Sequence, residues 1–245
     1  MSKDKHIPVM TLMLVVVLFL AMAGCTVPVS NGGCETLEDE LERANAELAE
    51  LRSEVAAVKT ASLEELLQQR RSIREYTDAS LTRDEVMELL WAGQGITSDR
   101  GFRTVPSAGA LYPLEIYLVA GNVDDLAPGI YKYNPAENDL NLVKEGDARA
   151  GMAAASLGQR SVADGAIDIV VAAVYERTTV KYGVRGERFV HIEVGHAAQN
   201  ICLQATALGL GLVTIGAFDD TEVAKVVGMP QDESPLYVMP VGRIK

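Results

Sequence analysis

The chain has 245 residues, 48% of them hydrophobic, enough to bury one good-sized core or a core with an appendage. Its formal net charge of −12 argues against nucleic acid as a partner, because phosphate binding requires a basic face. Aromatic residues make up only 5%, and the abundance of Ala, Gly and Val suits an α/β or α+β domain better than a β-sandwich.

Residues 1–24 read as a targeting segment rather than as part of the fold. Lys3 and Lys5 give a short positive region, and Ile7 to Gly24 is apolar apart from Thr11. The run closes on Met22-Ala23-Gly24-Cys25, which resembles a lipobox of bacteria or archaea. That resemblance implies a lipoprotein signal peptide over 1–24 and lipidation of Cys25. An uncleaved anchor is the alternative, since the run is about long enough to span a bilayer. In either case the rest of the chain is expected to be extracytoplasmic and tethered to the membrane. Cys34 and Cys202 are then too few for a disulfide framework. Cys202 falls in an apolar helical pattern and reads as a small core residue.

Residues 25–36 form a spacer, with Pro, Gly and Ser between Thr26 and Gly33. Over 37–61, Leu37, Leu41, Ala44, Leu48, Leu51, Val55 and Val58 recur in alternating steps of four and three. This is a heptad seam, and the pairing of Glu47 with Arg52 and Glu54 with Lys59 suits a parallel two-stranded coiled-coil stalk. A single amphipathic helix is the other reading. A globular domain then occupies 62–245. Ser62 with Glu65 and Thr82 with Glu85 are capping boxes, which predict helices from 62 to about 71 and from 82 through Trp91. A polar loop follows over 94–105. Leu114 to Val119 reads as a strand, and Ile130–Tyr133 and Leu140–Val143 flank an Asn134-Pro135 turn as a hairpin. A helix over 147–157, a central strand over 167–174 and a long helix from about 187 to 208 come next. The chain closes with a strand over 212–215, a short helix over 220–227 capped near Asp219, and a strand over 236–241.

Four pieces carry chemistry. Arg70-Arg71-Ser72-Ile73-Arg74 packs three guanidinium groups and a hydroxyl into five residues of an acidic chain, a set suited to phosphate or carboxylate. Capping of a helix C-terminus is its simpler use. P-S-A-G-A-L-Y-P at 106–113 offers small residues whose backbone can approach a flat ligand. A-L-G-L-G-L-V-T-I-G-A-F-D spans 207–219, and the chain ends on P-V-G-R-I-K. In this order and spacing the four resemble the nitroreductase-like FMN oxidoreductases over residues 63–245. K-Y-G-V-R-G-E-R at 181–188 and E-V-G-H-A-A-Q-N at 193–200 are similar to the SagB-type, azoline-oxidising dehydrogenases.

The resemblance implies an α+β nitroreductase-like fold, a mostly antiparallel sheet flanked by helices, in an intertwined homodimer with FMN at the interface. It implies that Arg70, Arg71, Ser72 and Arg74, with Arg243 or Lys245, hold the FMN phosphate and ribityl. It places Pro106, Ser107, Ala108 and Ala110 against the flavin from the partner subunit, and Thr214, Ile215 and Gly216 along it. Ala110 stands where many nitroreductases carry Asn, and Gly216 replaces a common acidic residue. Lys181 and Tyr182 match the catalytic Lys-Tyr pair of the azoline oxidases. The expected activity is hydride transfer between flavin and a small-molecule or peptide-derived substrate. The alternatives are nitro- or quinone reduction, or a membrane-tethered flavin-binding module without turnover. His191, Glu193 and His196 are expected to serve packing and hydrogen bonding, and no metal is expected.

Overall fold

The computed structural model describes residues 61–245 together with Arg43 and Asn45, both helical. The expected signal peptide, Cys25 and the seam of the stalk lie outside the described residues. Among the described residues, no helix is long and apolar enough to cross a membrane.

Helix α1 (Leu63–Gln69) opens on the capping box that the sequence predicts. The Glu65 N–H donates to Ser62 Oγ at 3.2 Å, and the Ser62 N–H donates to the Glu65 carboxylate at 2.9 Å. Thr82 and Glu85 repeat the arrangement at α2 (Arg83–Gln94), which runs three residues past Trp91 before Gly95 ends it. Each cap contributes about 1 kcal/mol by satisfying helix donors that have no partner within the helix.

Six strands follow: β1 (Leu114–Ala120), β2 (Gly129–Asn134), β3 (Asp139–Glu145), β4 (Ile167–Ala173), β5 (Leu210–Leu212) and β6 (Ser234–Arg243). They form one sheet in the order β3-β2-β1-β4-β6-β5, with every neighbouring pair antiparallel. All seven residues of β4 are buried, as its apolar run predicts. Strand alternation sends Ile169 and Val171 to one face and Val170 and Ala172 to the other. The first face packs against α2 and the long helix α6 (Arg185–Ala207), through Leu89, Leu90, Val194 and Ile201. The second packs against α3 (Arg149–Ala155), α4 (Arg160–Asp164) and α7 (Asp220–Val227), through Met152, Val162 and Val223. Asp219 caps α7, its carboxylate accepting from the Glu222 N–H at 3.0 Å, and Cys202 is buried.

The structure departs from the expected elements in three places. The strand expected over 212–215 is β5 at 210–212; Thr214 lies outside it, and Ile215 makes an isolated bridge to Val238. Helix α4 was not predicted. Nor was the helix α5 (Glu176–Tyr182), which precedes the long helix and ends at Gly183 with φ +57°. That glycine makes the elbow between α5 and α6, where a left-handed backbone is cheap only without a Cβ.

Strand register gives the sheet two distinct ends. Leu114 pairs with Ala173 and Ala173 with Ser234 at one end; Ile167 pairs with Val241 at the other. Strand β5 lies at that second end, where Leu210 pairs with Arg243.

Candidate active site

The cationic segment docks beside β5. Ser72 bridges Leu212 in parallel, and the Ile73 N–H donates to the Leu212 carbonyl at 2.9 Å. A glycine allows this approach, since a Cβ on Gly211 would lie 2.7 Å from Ile73 Cγ2. Ser72 and Ile73 therefore meet β5 at Leu212, two residues before Thr214; from there the cationic segment crosses to the end of β6, where Tyr76 bridges Ile244, while Ile215 bridges Val238. Gly216 is exposed, and a Cβ there would meet only Tyr237, at 3.7 Å.

The basic residues of this end divide by role. Arg71 folds back on α1 and donates to the carbonyls of Gln68 and Arg70, both at 2.8 Å, so this guanidinium caps the helix. Arg70 and Arg74 pair with no acidic side chain among the described residues. Arg74 lines a cleft of about 380 Å³ with Lys245, Arg160 and Ser161, bordered by Glu75 and Asp164. Arg243 is placed differently from Lys245. Its guanidinium grips both oxygens of Glu85 at 2.7 and 2.8 Å and donates to the Ser80 carbonyl at 3.2 Å. With all three donating nitrogens engaged, Arg243 ties β6 to α2 instead of facing the cleft, and Lys245 is the terminal cation that lines it.

A second group lies at the opposite end of the sheet, before β1. The loop 106–112 contains a short 3₁₀ turn at Ala108–Ala110, and Gly109, Ala110 and Tyr112 have φ of +66°, +54° and +46°. Two of these are not glycine, so the loop carries about 1–2 kcal/mol of strain per residue. Ser107 Oγ holds the curl by accepting from the Tyr112 N–H at 2.9 Å. Lys181 and Tyr182, at the end of α5, converge on it. A Cβ on Gly109 would sit 2.9 Å from Lys181 Nζ and 2.8 Å from Tyr182 Oη. The Tyr182 ring is seated edge-on against Phe189, with centroids 5.1 Å apart.

Behind this loop lie Glu193, which the sequence assigns to packing and hydrogen bonding, and Arg103, which the sequence does not single out. Glu193 of α6 is 2% exposed, and its Oε1 has no hydrogen-bond partner. Burial pushes its carboxyl up to about 7, against the Ser107 hydrogen bond and the nearby Arg103, which favour the charged form. Arg103 donates to Gln94 Oε1 at 2.6 Å and stacks 4.6 Å from the centre of the Tyr112 ring. The detectable signal was a carboxylate among the buried positions Val190, Val194 and Ala197 of one helix. His191 is engaged with Tyr175, Oη to Nε2 at 2.6 Å, and no metal-binding cluster occurs among the described residues.

The donor set suits a flavin phosphate at the cationic end, with arginines and a hydroxyl beside β5, and the exposed Gly216 follows where the chain leaves β5 for Val238. The second end offers a small-residue loop and a proton-carrying pair. These ends are separated by the length of β4, seven residues at about 3.3 Å each, or roughly 20 Å.

The family model described as the nitroreductase family matches residues 67–243. The chain belongs to that family and is a flavin-dependent oxidoreductase. Over 186 residues it is 46% identical to a protein of Methanocaldococcus jannaschii that carries a provisional nitroreductase name, covering 76% of this chain and 93% of that one. It is 29% identical over 148 residues to the microcin B17-processing protein of Escherichia coli, covering 58% of this chain and about half, 54%, of that one. A crystal structure from Ralstonia eutropha, also provisionally named a nitroreductase, superimposes with a TM-score of 0.66 at 26% identity, covering 76% of this chain and 85% of that one.

Proposed function

We propose that this protein is an FMN-dependent dehydrogenase of the SagB type. In this reading it moves a hydride between an organic substrate and the flavin, while Lys181 and Tyr182 carry the accompanying proton. The observation that carries the reading is the convergence of Lys181 Nζ and Tyr182 Oη on Gly109, in the small-residue loop. FMN, when bound, supplies a two-electron acceptor and donor at N5. Arg70, Ser72, Arg74 and Lys245 would hold its phosphate. Thr214, Ile215 and Gly216, with Pro106, Ser107, Ala108 and Ala110, would border its ring. Lys181 takes a proton from a substrate being oxidised, or returns one to an acceptor being reduced, with the Tyr182 hydroxyl as relay.

The two groups lie at opposite ends of one sheet, so the reading calls for a homodimer in which the loop of one copy meets the cationic segment of the other. The microcin-processing relative supports a peptide-derived or small organic substrate. The N-terminal 24 residues and Cys25 support an extracytoplasmic, lipid-anchored enzyme. A second reading, reduction of quinones or nitro compounds, is favoured by the nitroreductase name of the relative that is 46% identical.

The test is made on the full-length protein purified with FMN. The expected result is a yellow dimer whose dithionite-reduced form is reoxidised by menadione, a quinone that takes up one hydride and one proton. Lys181→Ala is expected to retain flavin and lose most of that rate. Arg70→Ala is expected to lose flavin without unfolding. Colourless protein after reconstitution would sink the flavin assignment, and unchanged turnover in Lys181→Ala would remove Lys181 from its role.

A further inference from the structure

The helix that carries Lys181 and Tyr182 packs on α6, with Tyr182 against Phe189 and Tyr175 against His191, but buries little of itself toward the sheet. Helix α5 is seven residues long, Tyr175 at its N-terminus makes no side-chain cap, and Thr178 is its one buried residue. Helices this short are not stable from propensity alone, so tertiary contacts must fix the position. The polar contact toward β1 and the 106–112 loop is Arg177, one turn before Lys181 on the same helical face. Its Nη2 lies 2.5 Å from Glu115 Oε1, and its Nη1 donates to the Tyr112 carbonyl at 3.1 Å. One guanidinium therefore joins α5, the start of β1 and the loop on which Lys181 and Tyr182 converge.

Glu115 is itself anchored. Lys132 Nζ on β2 lies 3.2 Å from Glu115 Oε2 and 2.6 Å from Glu233 Oε1, and the Tyr117 hydroxyl donates to Glu233 Oε2 at 2.6 Å. The four charges alternate in sign from Glu233 through Lys132 and Glu115 to Arg177. Glu115 and Glu233 have side chains 15% and 4% exposed, while the cations are more open, Lys132 at 28% and Arg177 at 41%. A planar guanidinium can serve a carboxylate and a carbonyl at once, which a lysine does less well.

We infer that Arg177 is the positioning residue of this active site, holding α5 against the 106–112 loop through Glu115 and the Tyr112 carbonyl so that Lys181 and Tyr182 stay at Gly109. This rests on the catalytic reading of Lys181, and the experiment separates the two. Full-length, flavin-loaded wild type, Arg177→Met, Arg177→Lys and Glu115→Gln are compared by hydrogen exchange of the α5 amides, by flavin content and by menadione reoxidation of the reduced enzyme.

In Arg177→Met, exchange over 176–183 is expected to accelerate about tenfold to a hundredfold, the range for losing a charge-assisted hydrogen bond from a local opening equilibrium. Flavin content should be unchanged, and reoxidation should slow by at least about tenfold with little change in the menadione concentration for half-maximal rate. Arg177→Lys should restore part of both losses, and Glu115→Gln should reproduce them from the other side of the pair if Arg177→Met fails to fold. Wild-type exchange over α5 in both Arg177→Met and Glu115→Gln would overturn the clamp, as would loss of flavin in step with loss of rate. The exchange result stands on its own if Lys181→Ala proves fully active, because it reads the helix and not the chemistry.

Discussion

Replacing Glu193 with Gln should stabilise the protein above neutral pH, by an amount that follows from where the carboxyl sits. The side chain is 2% exposed, one oxygen has no partner, and its folded-state value is raised from 4.5 to about 7, with burial as the dominant cause. Below pH 4.5 the group is protonated in folded and unfolded chains alike, and its contribution is fully present. As pH rises toward 7 the unfolded chain ionises while the folded one holds its proton, so stability is lost over that window and the loss levels off above it. At 1.36 kcal/mol per pH unit, the difference between 4.5 and about 7 corresponds to about 3 kcal/mol. Glutamine keeps the shape without ionising. The advantage of Glu193→Gln over wild type should therefore be small at pH 4.5 and grow to about 3 kcal/mol at pH 8, about 6–12 °C in Tm for a domain of this size. Urea titrations at half-unit pH steps, at fixed protein and flavin concentration, measure it. An advantage that stays constant between pH 4.5 and 7, or a mutant less stable at pH 8, would refute the account.

Other outcomes follow from the same geometry. Asp168 is fully buried in β4 with both oxygens unpartnered, and burial holds its carboxyl well above the usual range. Asp168→Asn should gain on wild type as pH rises above about 4, by at most about 1.4 kcal/mol per pH unit, and a flat difference in urea titrations would contradict this. Gly109→Ala, at φ +66° and facing Lys181 Nζ and Tyr182 Oη, should cost about 1 kcal/mol in thermal melts. On the proposed role of Lys181 and Tyr182 it should slow menadione reoxidation more than it lowers stability, since both side chains must move. Glu85→Ala removes the reciprocal cap of α2 and the partner of Arg243 together, and should cost about 2–3 kcal/mol in chemical denaturation, against less than about 0.5 if the pair is only superficial.

The elements that the sequence announces most clearly are those whose signal is local. Both capping boxes form as written, and α7 covers the expected 220–227. The apolar run of β4 and the hairpin around Asn134-Pro135 fall within a residue or two of expectation. Helix α5 escaped because Glu-Arg-Thr-Thr-Val-Lys-Tyr has one buried residue and thus no period to read; its helicity is imposed by α6 and by the ion pair of Arg177. The motif order marked the cationic segment and the 106–112 loop as members of one site, but only strand register shows them at opposite ends of a sheet. Arg243 reads as a phosphate ligand in sequence because nothing local announces Glu85, 158 residues away, as its partner. Arg103 and the protonation of Glu193 were invisible for the same reason, since burial of a charge is a property of what packs over it.

The attachment of α5 also bears on how this scaffold diversifies. The seven residues of α5 lie between β4 and the Gly183 elbow, with Thr178 buried and Arg177 paired to Glu115, while Glu176 and Val180 face solvent. Outward positions of such a segment can drift without disturbing the sheet, yet each change reshapes the rim beside Lys181. A helix with one buried residue thus carries Lys181 and Tyr182, so that changes at its outward positions alter the surroundings of that pair at little risk to folding.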